Sequence, residues 1–106
     1  NKKYYGDSLI HDKEIAYEWA RIPHFYSAFY VYKYATGIIS AISIVSRILK
    51  EGEKAVEDYF RFLSSGCATD PVTILKKAGV DLTTSAPFEI AMQEFEDTLN
   101  ELKKYY

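Results

Sequence analysis

Residues 38–49 read I-I-S-A-I-S-I-V-S-R-I-L, and the way this run folds decides the class of the whole chain. Isoleucine and valine suit strands as well as helices. The spacing and length favour a helix: Ile38, Ala41, Ile42, Val45, Ile48 and Leu49 recur at i, i+3, i+4 and i+7, the period of one helical face. Ile39 and Ile44 widen the apolar surface, which predicts a helix buried on more than one side. Gly37 falls inside the same helix. An internal glycine costs roughly 1 kcal/mol against alanine, so the expectation is that it admits a close backbone approach. Gly52 closes the helix as a C-terminal cap.

The stretch before this run, R-I-P-H-F-Y-S-A-F-Y-V-Y-K-Y-A-T-G at 21–37, has an unusual composition. Between Pro23 and Tyr34 it holds six aromatic rings and a histidine in twelve positions, four of the rings being phenols. Pro23 restricts Ile22 and suits the first turn of a new helix. That helix is expected to run from about 23 to Lys50. Upstream, Asp12 to Ala20 reads as a helix with Asp12 as its N-cap and Ile15, Ala16, Tyr17 and Trp19 supplying apolar contacts.

Downstream, Glu53 to Ser64 repeats the helical period, with Val56, Tyr59, Phe60 and Leu63 on one face. Residues 70–79, D-P-V-T-I-L-K-K-A-G, carry a cap at Asp70, a proline at the first position, lysines in the last turn and a glycine stop. Val80 to Ala86 reads as a loop. A last helix from about Pro87 to Lys104 places Phe88, Ala91, Met92, Phe95, Leu99 and Leu102 on one face. There is no internal repeat and no pair of strands. The expected class is all-α, about five helices with short loops.

The totals exclude several functions. With 106 residues the chain is one domain or a piece of a larger one. A formal charge of −2, with 13 basic and 15 acidic residues and no long run of one sign, argues against a nucleic-acid partner. The apolar run at 35–49 is broken by Ser40, Ser43, Ser46 and Arg47, and is too short and polar to span a membrane. One cysteine, Cys67, rules out an intrachain disulfide and suits a reducing cytoplasm. No secretory leader is visible. The chain begins at Asn1 without a methionine, and the expectation drawn from this is that residues upstream have been removed.

Each candidate chemistry has a plain structural alternative. His11 and Glu14 lie three apart, but no His-Glu-x-x-His places two ligands on one helix, so no metal site is expected within this chain. Cys67 has no local base, and reads as a small packed residue rather than a nucleophile. The five glycines are isolated, which excludes a phosphate-cradling loop. The aromatic stretch remains. On one helix, Tyr26, Tyr30 and Lys33 would share a face at i, i+4 and i+7, Tyr34 would continue the row, and Tyr32 would lie beside Phe25 and Phe29. One reading is a packed aromatic core with hydroxyls reaching water. The other is a wall of donors: phenols and the His24 imidazole can donate hydrogen bonds to an oxyanion.

The run W-A-R-I-P-H-F-Y-S-A-F-Y-V-Y-K-Y-A-T-G at 19–37 resembles the C-terminal region of oligoendopeptidase F-type zinc metallopeptidases, relatives of thimet oligopeptidase. The likeness continues through Y-F-R-F-L-S-S-G at 59–66, D-P-V-T-I-L-K-K-A-G-V-D-L at 70–82 and the last helix. The resemblance implies a mostly helical catalytic domain closed around a deep channel. It implies one zinc, held by a His-Glu-x-x-His helix and a further glutamate, whose bound water attacks a peptide bond. In that family the segment matching 19–37 faces the zinc. On this basis His24 and Tyr30 are the candidate catalytic donors to substrate or oxyanion, and Arg21, Tyr26, Tyr32 and Tyr34 the candidate substrate-binding residues.

The zinc-motif region has no counterpart in residues 1–106. The resemblance therefore implies a C-terminal segment of an intracellular enzyme that cleaves short peptides, inactive alone and binding no zinc itself. Its expected partners are peptide substrates and the missing N-terminal part of the same polypeptide. Exposed apolar surface is expected to favour self-association. The alternative is a free-standing helical module for interaction or for a small apolar ligand, without catalysis.

Overall fold

Residues 32–51 form one continuous helix in the computed structural model, which describes residues 1–106. The chain is all helical, with no strand. Five α-helices are present: α1 (Lys2–Tyr5), α2 (Tyr32–Glu51), α3 (Glu53–Leu63), α4 (Pro71–Lys77) and α5 (Ala86–Leu102). Two 3₁₀ helices, Lys13–Arg21 and Pro23–Tyr26, lie between α1 and α2, and a third, Lys103–Tyr105, follows α5. The chain divides into two units, residues 1–33 and residues 34–106.

The first unit differs most from expectation. The segment after Asp12 is a 3₁₀ helix rather than an α-helix, and Asp12 makes no side-chain cap bond. Ile15, Tyr17 and Trp19, expected as packing residues, are exposed, and no residue of 1–33 is buried. The helix expected from about 23 to Lys50 is interrupted. Pro23 opens only a four-residue 3₁₀ turn, Ser27 is extended, and α2 begins at Tyr32. Between them Phe29 adopts φ +60°, a left-handed conformation that bulky side chains avoid. The N–H of Tyr30 donates to the Ser27 carbonyl at 3.3 Å and that of Lys33 to Tyr30 at 3.2 Å, so successive turns replace helix.

The second unit is built on small residues. The buried face of α2 is Ile39, Ser40, Ser43 and Ser46, not the isoleucine and valine face that the periodicity favoured. Ile38, Val45 and Leu49 are exposed. A serine stripe can be buried because its hydroxyls find partners on the helix itself. Ser40 Oγ donates to the Thr36 carbonyl at 2.7 Å. Ser43 Oγ lies 2.9 Å from the Ile39 carbonyl and 3.2 Å from that of Pro87, which ties α2 to the start of α5. The rest of the core is Ala55, Ala78, Val80 and Ala91, with Ile74 as its one larger side chain besides Ile39.

Further differences follow from the same packing. In α3 Tyr59 and Phe62 are half-buried and stacked with centroids 6.1 Å apart, while Phe60 and Leu63 face out. Gly37 has no neighbour within 4 Å of the place a Cβ would occupy, so it admits no close contact. Gly79 does: at φ +81°, a Cβ there would collide with the Arg47 guanidinium. That guanidinium joins α2 to α3 through Asp58 at 2.7 Å and reaches Glu51 at 3.0 Å. Asp70 caps α4 by accepting the Thr73 N–H at 2.9 Å, as its sequence indicates. Cys67 is exposed rather than packed, because it lies in the turns after α3 instead of on a buried helical face.

Candidate functional site

The aromatic stretch forms its site without a continuous helix. Pro23 starts the 3₁₀ turn that carries His24, and the left-handed Phe29 reverses the chain so that Tyr30 returns toward it. The His24 and Tyr30 rings lie with centroids 5.5 Å apart and planes tilted by 35°. Lys33 places its ammonium 5.2 Å from the Tyr30 ring centre, on the ring face, where a cation is attracted by the π electrons. The phenol of Tyr30 thus has an imidazole and an ammonium as neighbours. His24 and Tyr30 are both exposed, and so within reach of a ligand.

The remaining sequence candidates are placed differently from one another. The Tyr26 hydroxyl donates to the Ala20 carbonyl, so it ties the 3₁₀ turn back to the preceding segment. Arg21 pairs with Glu18 one helical turn before it, both exposed. Their hydrogen bond lowers the Glu18 carboxyl and raises the Arg21 guanidinium. Tyr32 opens α2 and Tyr34 follows on it, both more than half exposed. Tyr26 and Tyr30 do not share a helical row, because the chain between them is turn rather than helix. Periodicity alone could not show the left-handed Phe29 or the cation over Tyr30. The i, i+3 spacing of Glu18 and Arg21 was a usable signal for their pairing.

The residues present do not fit a zinc site. No group of three or more His, Cys, Asp or Glu side chains is placed to hold a metal ion. His11, one of two histidines in the chain, donates through Nε2 to the Gly6 carbonyl at 2.8 Å. His24 stands against Tyr30. No helix is long and apolar enough to cross a membrane.

What the arrangement offers is a pair of hydrogen-bond donors, His24 and Tyr30, beside the Lys33 cation, carried on turns. The family model for peptidase family M3 matches residues 1–94. The chain belongs to peptidase family M3. It is 52% identical over 104 residues to oligopeptidase PepF of Bacillus subtilis, covering 98% of this chain and 16% of that protein. It is 47% identical to an oligoendopeptidase F homolog of Borreliella burgdorferi, covering 99% of this chain and 18% of the relative. The crystal structure of oligoendopeptidase-F from Enterococcus faecium superposes with a TM-score of 0.81 at 46% identity, over 98% of this chain and 20% of that one. The chain therefore spans a sixth to a fifth of the length of these peptidase family M3 relatives.

Proposed function

We propose that residues 1–106 are the C-terminal helical segment of a longer zinc metalloendopeptidase that hydrolyses short peptides in the cytoplasm. In this reading the segment supplies part of the substrate wall. His24 and Tyr30 donate hydrogen bonds to the peptide or to the oxyanion formed at the cleaved carbonyl. Tyr26 and Tyr32 line the same wall, with Arg21 and Tyr34 further along it. The observation that carries the reading is the His24–Tyr30 pair. Two side-chain donors are held side by side, on a backbone bent through the disfavoured conformation at Phe29. Backbone strain of this kind persists where the surroundings hold it, and it concentrates at working sites. Lys33 beside Tyr30 adds positive charge where negative charge would develop.

The zinc implied by family membership would be held by the rest of the polypeptide, since these residues do not form a site for it. The relatives named for oligopeptide cleavage support the substrate class. The test compares two proteins in a quenched-fluorescence peptide assay: the 106-residue chain and the longer polypeptide that contains it. The expected result is zinc-dependent cleavage by the longer protein and none by the segment. Turnover by the purified segment would contradict the proposal, as would a reading frame with no upstream His-Glu-x-x-His.

A further inference from the structure

The second unit carries an apolar face that its own core does not use. Between α2 and α5 runs a groove of about 470 Å³, lined by Ala41, Ile42, Val45, Leu49, Ala91 and Phe95. Beside it the two helices meet through small groups: Ser43 Oγ donates to the Pro87 carbonyl, and Ser46 and Ala91 are buried. Its walls are large and exposed: Val45 at 54%, Leu49 at 81% and Phe95 at 66%. The exposed apolar surface continues past the groove to Ile38, Met92 and Leu102.

We infer that this face is an intramolecular docking surface, covered by an apolar helix from the remainder of the longer polypeptide. The inference rests on the reading under Proposed function and names the partner surface it requires. Three observations select this occupant. The structural match to the Enterococcus faecium chain holds across nearly all of this one, so the same helices sit in a chain about five times as long. The exposed stripe from Ile38 to Leu49 extends for roughly 17 Å at the helical rise, which suits a helix laid along the groove. A single small ligand in the groove would still leave Ile38 and Leu102, outside its lining, in water. The polar residues of the lining are Ser46, which is buried, with Glu94 and Thr98, and they leave few groups to orient such a ligand.

The test introduces Val45→Asp into the longer polypeptide and into the 106-residue chain, and reads thermal unfolding in both. A charge placed where the face is covered is expected to lower the Tm of the longer protein by about 5 °C or more. In the short chain, where Val45 is exposed, the Tm and helical circular dichroism stay unchanged. Leu49→Gln, a milder change on the same face, is expected to repeat the pattern if Val45→Asp prevents the longer protein from folding. An unchanged Tm in the longer protein for both variants would overturn the inference. So would a face occupied by a second copy, seen as a dimer of the longer protein that Val45→Asp dissociates without loss of Tm. Because the readout is unfolding, loss of the peptidase reading would leave it interpretable: an inactive longer protein that still melts early with Val45→Asp retains the docking surface.

Discussion

The rings of His24 and Tyr30 stand 5.5 Å apart, although the chain between them passes through a residue with positive φ. The pairing is made by turns and not by helical periodicity. Phe29 is the pivot. Its side chain is 83% exposed, so the ring contributes little packing at the position where the backbone is most disfavoured. A left-handed non-glycine residue costs roughly 1–2 kcal/mol. Phe29→Gly removes that cost and adds chain entropy of similar size to the unfolded state. Stability should therefore stay within about 1 kcal/mol of the parent. The turn that holds Tyr30 beside His24 becomes looser, and kcat of the longer polypeptide should fall several-fold. Calorimetry and peptide kinetics on the same preparation check both halves.

Gly79 is required by its surroundings as well as by its φ of +81°. A Cβ would collide with the Arg47 guanidinium, which is held by Asp58 and Glu51. Gly79→Ala should destabilise the chain by more than about 1 kcal/mol, since it combines an unfavourable backbone with a displaced ion pair. Gly37→Ala is the control. It meets no atom within 4 Å and sits in an α-helix, so it should stabilise by up to about 1 kcal/mol. Urea midpoints of the two variants should move in opposite directions.

The serine stripe of α2 is a spacing device. Ser43 is 5% exposed and sits against the Pro87 carbonyl. Ser43→Leu would force a large side chain between α2 and α5 and should cost about 1–3 kcal/mol. Ser43→Ala keeps the spacing and should cost about 0.5–1.5 kcal/mol through the lost hydrogen bond. Reversing that order would contradict the close approach of these helices.

Acid should weaken the second unit through three carboxylates. Asp81 accepts hydrogen bonds from the Thr83 hydroxyl and N–H and pairs with Lys76, which together draw it from the ordinary 3.8 to about 2. Asp58, bonded first to Arg47, and Asp70, bonded to Thr73, are also lowered. A carboxyl whose folded pKa lies below its unfolded value stabilises the fold above the unfolded pKa. That contribution is lost as pH falls through the folded value. The Tm should therefore hold steady at neutral pH and fall between about pH 4 and pH 2. Asp81→Asn should flatten this acid limb, which a pH series of melting curves would show.

Much of the second unit was legible in the sequence because its signals are local. The Asp70-Pro71 cap, the Gly52 and Gly79 stops and the helical class all follow from backbone chemistry within a few residues. The buried faces were less legible. Periodicity marks an apolar face, but it does not say whether that face packs within these residues or elsewhere. On α2 the serines turn inward and the isoleucine and valine face stays open. In the aromatic stretch the residue types pointed to a donor cluster, while its geometry depended on a turn. Nothing in S-A-F-Y announces a left-handed phenylalanine, since glycine is the residue that ordinarily marks such a position. The resemblance to oligoendopeptidases came from the order of residues in that stretch, which composition and spacing do not capture.

The most direct test of the account is Tyr30→Phe in the longer polypeptide, with zinc content and peptide kinetics measured together. The substitution removes one hydroxyl and leaves the ring beside His24 and Lys33. If Tyr30 donates to the oxyanion, kcat should fall by about 10²–10³-fold while zinc content stays the same. Full retention of kcat would contradict the donor role of Tyr30 and return the aromatic stretch to a structural reading.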